Sequence, residues 1–158
     1  MHPPSPLELL HPDGVAGRAV VLGERLPDAL RRGLPEGGQG EAGLVAVAPS
    51  DGAGPGETAA AAVRALAPDG IVYAATRGRG LVRALAAEGV EVAGGVAQLP
   101  RAEDVRLVAS AESRVLRHAL GTLLPPTPRR RLAAVAAPVL RPSAVVLCRP
   151  GGRPPLEW

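Results

Sequence analysis

Short apolar runs set between glycine- and proline-rich connections constrain this chain more than any other feature. Arg18-Ala-Val-Val-Leu22 stops at Gly23, and Leu44-Val-Ala-Val-Ala48 follows the loop Pro35-Glu-Gly-Gly-Gln-Gly-Glu-Ala-Gly43. Neither run alternates apolar with polar residues, so each predicts a strand covered on both faces, as in a parallel sheet between helices. Leu26 to Leu34, between them, has helical spacing. After the turn Pro49-Ser-Asp-Gly-Ala-Gly-Pro-Gly56, the Ala-rich stretch Glu57 to Leu66 predicts a helix that opens on an acid. Pro68-Asp-Gly70 stops it ahead of the strand Ile71-Val-Tyr-Ala-Ala75. Thr76-Arg-Gly-Arg-Gly80 then leads into a helix from Leu81 to Glu88, with Leu81, Val82, Leu85 and Ala86 on one face. Gly89 ends that helix before Val90-Glu-Val-Ala93. Strands and helices that alternate over short connections predict an α/β sheet with parallel members, wound right-handed.

The C-terminal third departs from this rhythm. Gln98 to Asp104 reads as a polar connection and Val105 to Ser110 as a short extended piece. Glu112 to Leu124 places Val115, Leu116, Ala119, Leu120, Leu123 and Leu124 on one helical stripe. Thr127 and Pro128 suit an N-cap and first turn, opening a second helix through Val139. Ala144-Val-Val-Leu-Cys148 predicts a last strand. The organisation expected is an extended arm over 1–17, one α/β domain over 18–150 and a Pro/Gly-rich tail over 151–158.

Composition narrows the options. A chain of 158 residues with 46% hydrophobic residues is the size and apolarity of one globular domain. Aromatics are 1% and Phe is absent, so Val, Leu and Ala must fill the core. Lys is absent too, and all 18 basic residues are Arg, the usage of a GC-rich genome. The net charge of +3 is unevenly spread. Up to Ser113 there are ten Arg against fourteen acids, whereas from Arg114 onward eight Arg meet one acid. The densest basic run, Arg129-Arg-Arg131, suits either a solvated helix face or an anionic ligand or acidic partner. Nucleic-acid binding is disfavoured, because stacking aromatics are missing. A homo- or hetero-oligomer remains open. Cys148 is the single cysteine, which excludes an internal disulfide or a multi-cysteine zinc site. No apolar run approaches the ~20 residues of a membrane span, and the start lacks a signal-peptide pattern, so a cytoplasmic protein with no membrane partner is expected. No metal site is predicted; His118 has no ligand partner at metal spacing.

The order of these pieces resembles the second half of a class I S-adenosylmethionine-dependent methyltransferase domain. Leu44-Val-Ala-Val-Ala48 looks like that family's fourth strand, and Ala65-Leu-Ala-Pro-Asp-Gly-Ile-Val-Tyr73 like its "A-L-x-P-G-G" turn into the fifth. Leu81 to Val92 is similar to the helix and strand that follow. Pro100, Glu103-Asp-Val-Arg-Leu-Val108 and Leu140-Arg-Pro-Ser-Ala-Val-Val-Leu-Cys-Arg-Pro150 look like the last antiparallel hairpin, in particular that of a subset encoded near surface-polysaccharide and other biosynthetic genes. The resemblance implies a Rossmann-like, mostly parallel sheet flanked by helices, with a C-terminal antiparallel strand and a helical insertion.

The departures from the family bear on function. Its cofactor half uses a Gly-rich turn after the first strand and an acid at the end of the second for the ribose hydroxyls. Val20-Val-Leu-Gly-Glu-Arg25 offers one glycine, and the stretch from Gly23 to Leu44 is far short of the ~60 residues that two crossover units need. The expectation is therefore a shortened, degenerate methyltransferase-like domain acting as a binding or accessory module. The alternative is an active methyltransferase with a compressed S-adenosylmethionine site. Its cofactor-binding residues would be Gly23, Glu24, Ser50, Asp51, Tyr73 and Arg77, because ligands of open α/β sheets bind outside the carboxyl ends of strands. Each also has a plainer role: Asp51-Gly52 as an ordinary turn, Glu24 as a solvated loop acid, Tyr73 as core. No catalytic residue is singled out. Methyl transfer rests on positioning, and needs a base only when the acceptor must lose a proton.

Overall fold

The computed structural model describes residues 19–26, 28–31, 34, 41–75, 79–100, 105–110 and 144–151. In chain order they form β1 (Ala19–Leu22), α1 (Asp28–Arg31), β2 (Ala42–Val47), α2 (Pro55–Ala65), β3 (Leu66–Ala75), α3 (Arg79–Ala87), β4 (Glu91–Pro100), β5 (Val105–Ser110) and β6 (Ala144–Cys148). The strands make one mixed sheet in the order β1-β2-β3-β6-β4-β5. β1, β2 and β3 are parallel neighbours, Val20 standing beside Val45 and Val45 beside Val72. β6 is antiparallel to both β3 and β4, so β4 runs in the direction of β1–β3, and β5 returns antiparallel along β4.

Two expectations are corrected by this topology. The resemblance implies a hairpin between Glu103–Val108 and Leu140–Pro150, but β4 stands between β5 and β6 and pairs with both. Gln98-Leu-Pro100, expected as a connection, completes β4, with Gln98 opposite Val108 and Leu99 opposite Leu107. The apparent breakers Gly94 and Gly95 sit where β4 bulges against β6, its register shifting between Val92 and Gly94. A bulge bends a strand without ending it. The arm over 1–17 and the predicted helices over 112–124 and 128–139 lie outside the described residues.

The core divides by the strand period of two. One face of the sheet carries Ala19, Leu44, Ala46, Ile71, Tyr73, Ala144 and Val146, packed with Leu26, Leu30 and Leu34 around α1. The other carries Val45, Val47, Val72, Ala74, Val145 and Leu147 beneath Ala59 and Ala62 of α2 and Leu81 and Leu85 of α3. α1 and α2 therefore lie on opposite faces. Yet the connections β1→β2 and β2→β3 step the same way across the sheet. Two consecutive right-handed crossovers taken in one direction would share a face, so these two connections have opposite hands. β5, at the far edge, reaches back to meet α1, so the sheet is strongly coiled.

The helix ends show why the chain turns where it does. Gly89 has φ of +89°, which an L side chain resists, and takes the position just past α3. There the Gly89 N–H donates to Ala86 O at 3.1 Å and the Val90 N–H to Leu85 O at 3.5 Å, the paired bonds of a Schellman motif. α2 opens with Pro55 in its first turn, and Glu57 accepts the Gly54 N–H at 3.3 Å. β3 follows α2 at once. Leu66 pairs with Ala42 and Ile71 with Leu44, leaving Pro68 and Asp69 in an exposed protrusion of the strand. Gly70 ends the protrusion because a Cβ there would stand 2.7 Å from the Ala42 carbonyl oxygen.

The C-terminal end of α2 is closed from a distance. The Arg149 guanidinium, just past β6, donates to Val63 O and Leu66 O, each at 3.1 Å. A cation on carbonyls at a helix C-terminus satisfies exposed acceptors and opposes the helix dipole. Arg149→Ala is expected to lower unfolding stability by about 1–3 kcal/mol, with Arg149→Lys recovering part of it. Urea denaturation followed by circular dichroism measures both.

Candidate functional site

Because β1 and β2 are parallel neighbours, their carboxyl ends open on the same edge of the sheet, and the loops that leave them meet there. The Ala48 N–H donates to Leu22 O at 2.9 Å, carrying the ladder to the last residue of β1. Gly23 follows at φ +92°. A Cβ at Gly23 would overlap the Ala48 carbonyl oxygen, so glycine is required both by conformation and by space. Arg31 of α1 reaches back to this turn, donating through NH2 to Gly23 O at 2.7 Å and through Nε to Leu26 O at 3.3 Å.

On the facing loop, the Ser50 hydroxyl accepts the Gly52 N–H at 3.4 Å, a local turn that presents Asp51. Arg25 donates to Asp51 Oδ1, an ion pair that joins the loop after β1 to the loop after β2. Both side chains are well exposed, 63% and 68%, so the pair adds little to stability. Glu24 and Glu57 are also exposed at this edge. The Thr58 hydroxyl donates to Gly54 O at 3.1 Å at the start of α2.

Four of the residues picked from sequence, Gly23, Glu24, Ser50 and Asp51, are thus brought together. Tyr73 is not with them. It is fully buried within β3, between Ala46 of β2 and Val146 of β6, on the face that α1 covers. Arg77 and the run Arg129, Arg130 and Arg131 lie outside the described residues. Sequence reasoning missed Arg25 and Arg31, the two cations that organise the edge. The signal for Arg25 was its place beside Glu24 directly after a strand; Arg31 gave none, because its targets are backbone carbonyls. Chemically the edge offers carboxylates as hydrogen-bond acceptors for hydroxyl or amino groups, and one guanidinium for an anion.

Among the described residues no group of His, Cys, Asp and Glu is arranged to hold a metal ion, and no helix is long and apolar enough to cross a membrane. Cys148 is buried in β6 opposite Ile71 and Glu91. Burial, helped by the Glu91 charge, pushes its thiol above the ordinary range and disfavours the nucleophilic thiolate. No protein-family model, curated protein or solved structure matches the chain.

The two loops differ in how tightly they are built, and glycine substitutions read that difference. Gly23→Ala is expected to cost at least ~2 kcal/mol, from the left-handed φ together with the clash on Ala48. Gly52→Ala, where an added Cβ meets nothing within 4 Å, should change stability by less than about 0.5 kcal/mol. Thermal unfolding of the two variants provides the comparison.

Proposed function

We propose that this chain is a shortened Rossmann-like domain of the methyltransferase type, which works as a binding or accessory module and does not itself transfer a methyl group. The observation that carries the reading is the placement of α1 and α2 on opposite faces around the adjacent strands β1 and β2. In a doubly wound sheet of order 3-2-1-4-5-6, winding reverses between strands 1 and 4, and the helices that follow those two strands cover opposite faces. β1 and β2 stand in that relation. Only about 20 residues separate Leu22 from Ala42, against the ~60 of two crossover units, so strands 2 and 3 have no room. β6 is antiparallel, as the C-terminal strand that the resemblance implies would be, although it pairs with β3 and β4 and not with β5.

The edge does not fit S-adenosylmethionine well. Gly23, the residue available for a close backbone approach to the cofactor, has that space taken by the Ala48 carbonyl. The second strand, whose terminal acid would hold the ribose hydroxyls, has no counterpart in the described sheet. What favours the second reading, an active enzyme with a compressed site, is the convergence of Gly23, Glu24, Ser50 and Asp51 at the switch point, where ligands of such sheets bind. A partner with hydroxyl, amino or anionic groups suits the same edge in the accessory reading.

Calorimetric titration with S-adenosylmethionine and S-adenosylhomocysteine separates the two. The accessory reading expects no heat of binding up to millimolar ligand. Micromolar affinity for either compound would overturn it in favour of the enzyme.

A further inference from the structure

We propose that the Arg25–Asp51 ion pair is a reversible latch across the carboxyl ends of β1 and β2, holding the loops that leave them together and releasing them when ions compete for either charge. The inference concerns the conformation of the edge itself, so it goes beyond the proposed function and holds whether or not a cofactor binds.

The two halves of the pair stand on different mechanical footings. Arg25 projects from a fixed post. Gly23 before it is wedged against the Ala48 carbonyl, and Arg31 ties down the carbonyls of both Gly23 and Leu26, the residues on either side of the Glu24–Arg25 tip. Asp51 projects from an exposed arm. Residues 51–57 are all exposed, and a Cβ added at Gly52, Gly54 or Gly56 would touch nothing within 4 Å, so this loop makes no close packing contacts at those points. The arm is rooted in buried Ala48 and stops at the capped start of α2, where Glu57 accepts the Gly54 N–H. Glycines at 52 and 54 leave the backbone between those anchors free to turn. A fixed cation and a hinged anion, joined by one bond, make a catch that opens by movement of the β2–α2 loop.

Solvent sets its strength. With 63% and 68% of the two side chains exposed, water and salt compete for both charges, so the closed form is favoured only a few-fold. Such a contact is too weak to serve the fold and weak enough to be displaced.

Amide hydrogen exchange on the full chain tests the latch without any ligand. Wild type, Arg25→Ala, Asp51→Ala, the double variant Arg25→Ala/Asp51→Ala and the exchanged pair Arg25→Asp/Asp51→Arg are compared, with amides of β2 and β3 as the control for an intact fold. Each single variant should speed exchange in residues 50–54 about two- to five-fold. The double Ala variant should add nothing further, and the exchanged pair should return exchange to the wild-type rate. Sodium chloride at 1 M, where the screening length falls to about 3 Å, should speed the wild type and leave the Ala variants unchanged. Unchanged exchange in the single variants, additive effects in the double, or no rescue by the exchanged pair would overturn the latch. Because none of these readings uses S-adenosylmethionine, the latch and the proposed function fail independently.

Discussion

A sheet almost without aromatic side chains has to fill its interior by bringing backbones close together, and much of this structure follows from that shortage of volume. Tyr73 is the largest side chain fully buried among the described residues; the rest of the described interior is Leu, Ile, Val and Ala, with Cys148 and Thr58. Where larger residues would hold elements apart, Ala59 and Ala62 let α2 lie low over Val45 and Val47. Gly23 and Gly70 go further and leave no room for a Cβ beside the carbonyl oxygens of Ala48, just past β2, and of Ala42 at its start. Close packing of small groups recovers dispersion energy that bulky rings would otherwise supply, but it leaves little slack. A single added methyl at either glycine meets backbone, which cannot move aside as the end of a side chain can.

Arginine takes on the complementary task. The absence of lysine reads from sequence as a bias of base composition, and on the surface it is no more than that. At two described positions, however, the planar guanidinium serves backbone carbonyls. Arg31 closes the turn after β1, and Arg149 closes the end of α2. Arg31 reaches its two carbonyls through different nitrogens, Nε and Nη2, as the forked group permits, whereas Arg149 reaches both of its carbonyls through Nη2. The bonds of Arg149 tie elements distant in the chain, 83 and 86 residues apart.

What could be read from the sequence was local. The non-alternating runs at 44–48, 71–75 and 144–148 correspond to β2, β3 and β6, and Gly89 marks the end of α3, because burial on two faces and a left-handed φ both leave a signature in adjacent residues. The neighbours of β6 left none. Its pairing depends on which edges are open after the crossovers have formed, and no window of sequence contains both partners. At the candidate edge, Asp51 and Glu24 were visible as acids following strands. That Arg25 bridges the two loops was hidden by the same lack of long-range information. Gly23 shows how a correct observation can have two causes: a glycine after the first strand suits a ligand's approach, and it equally suits the carbonyl of Ala48 that occupies the space.

The position of β6 in the sheet has a consequence for how the molecule is made. All five of its residues are buried, and it lies between β3 and β4, yet it is the last of the described strands to leave the ribosome. Until it arrives, both of those neighbours present a bare edge, one of them the apolar stretch Ile71–Ala75. Unpaired edges of this kind recruit strands from other chains. Synthesis of this protein thus includes an interval in which β3 and β4 await a partner not yet made, and crowding by nascent copies is the condition under which that wait is most hazardous.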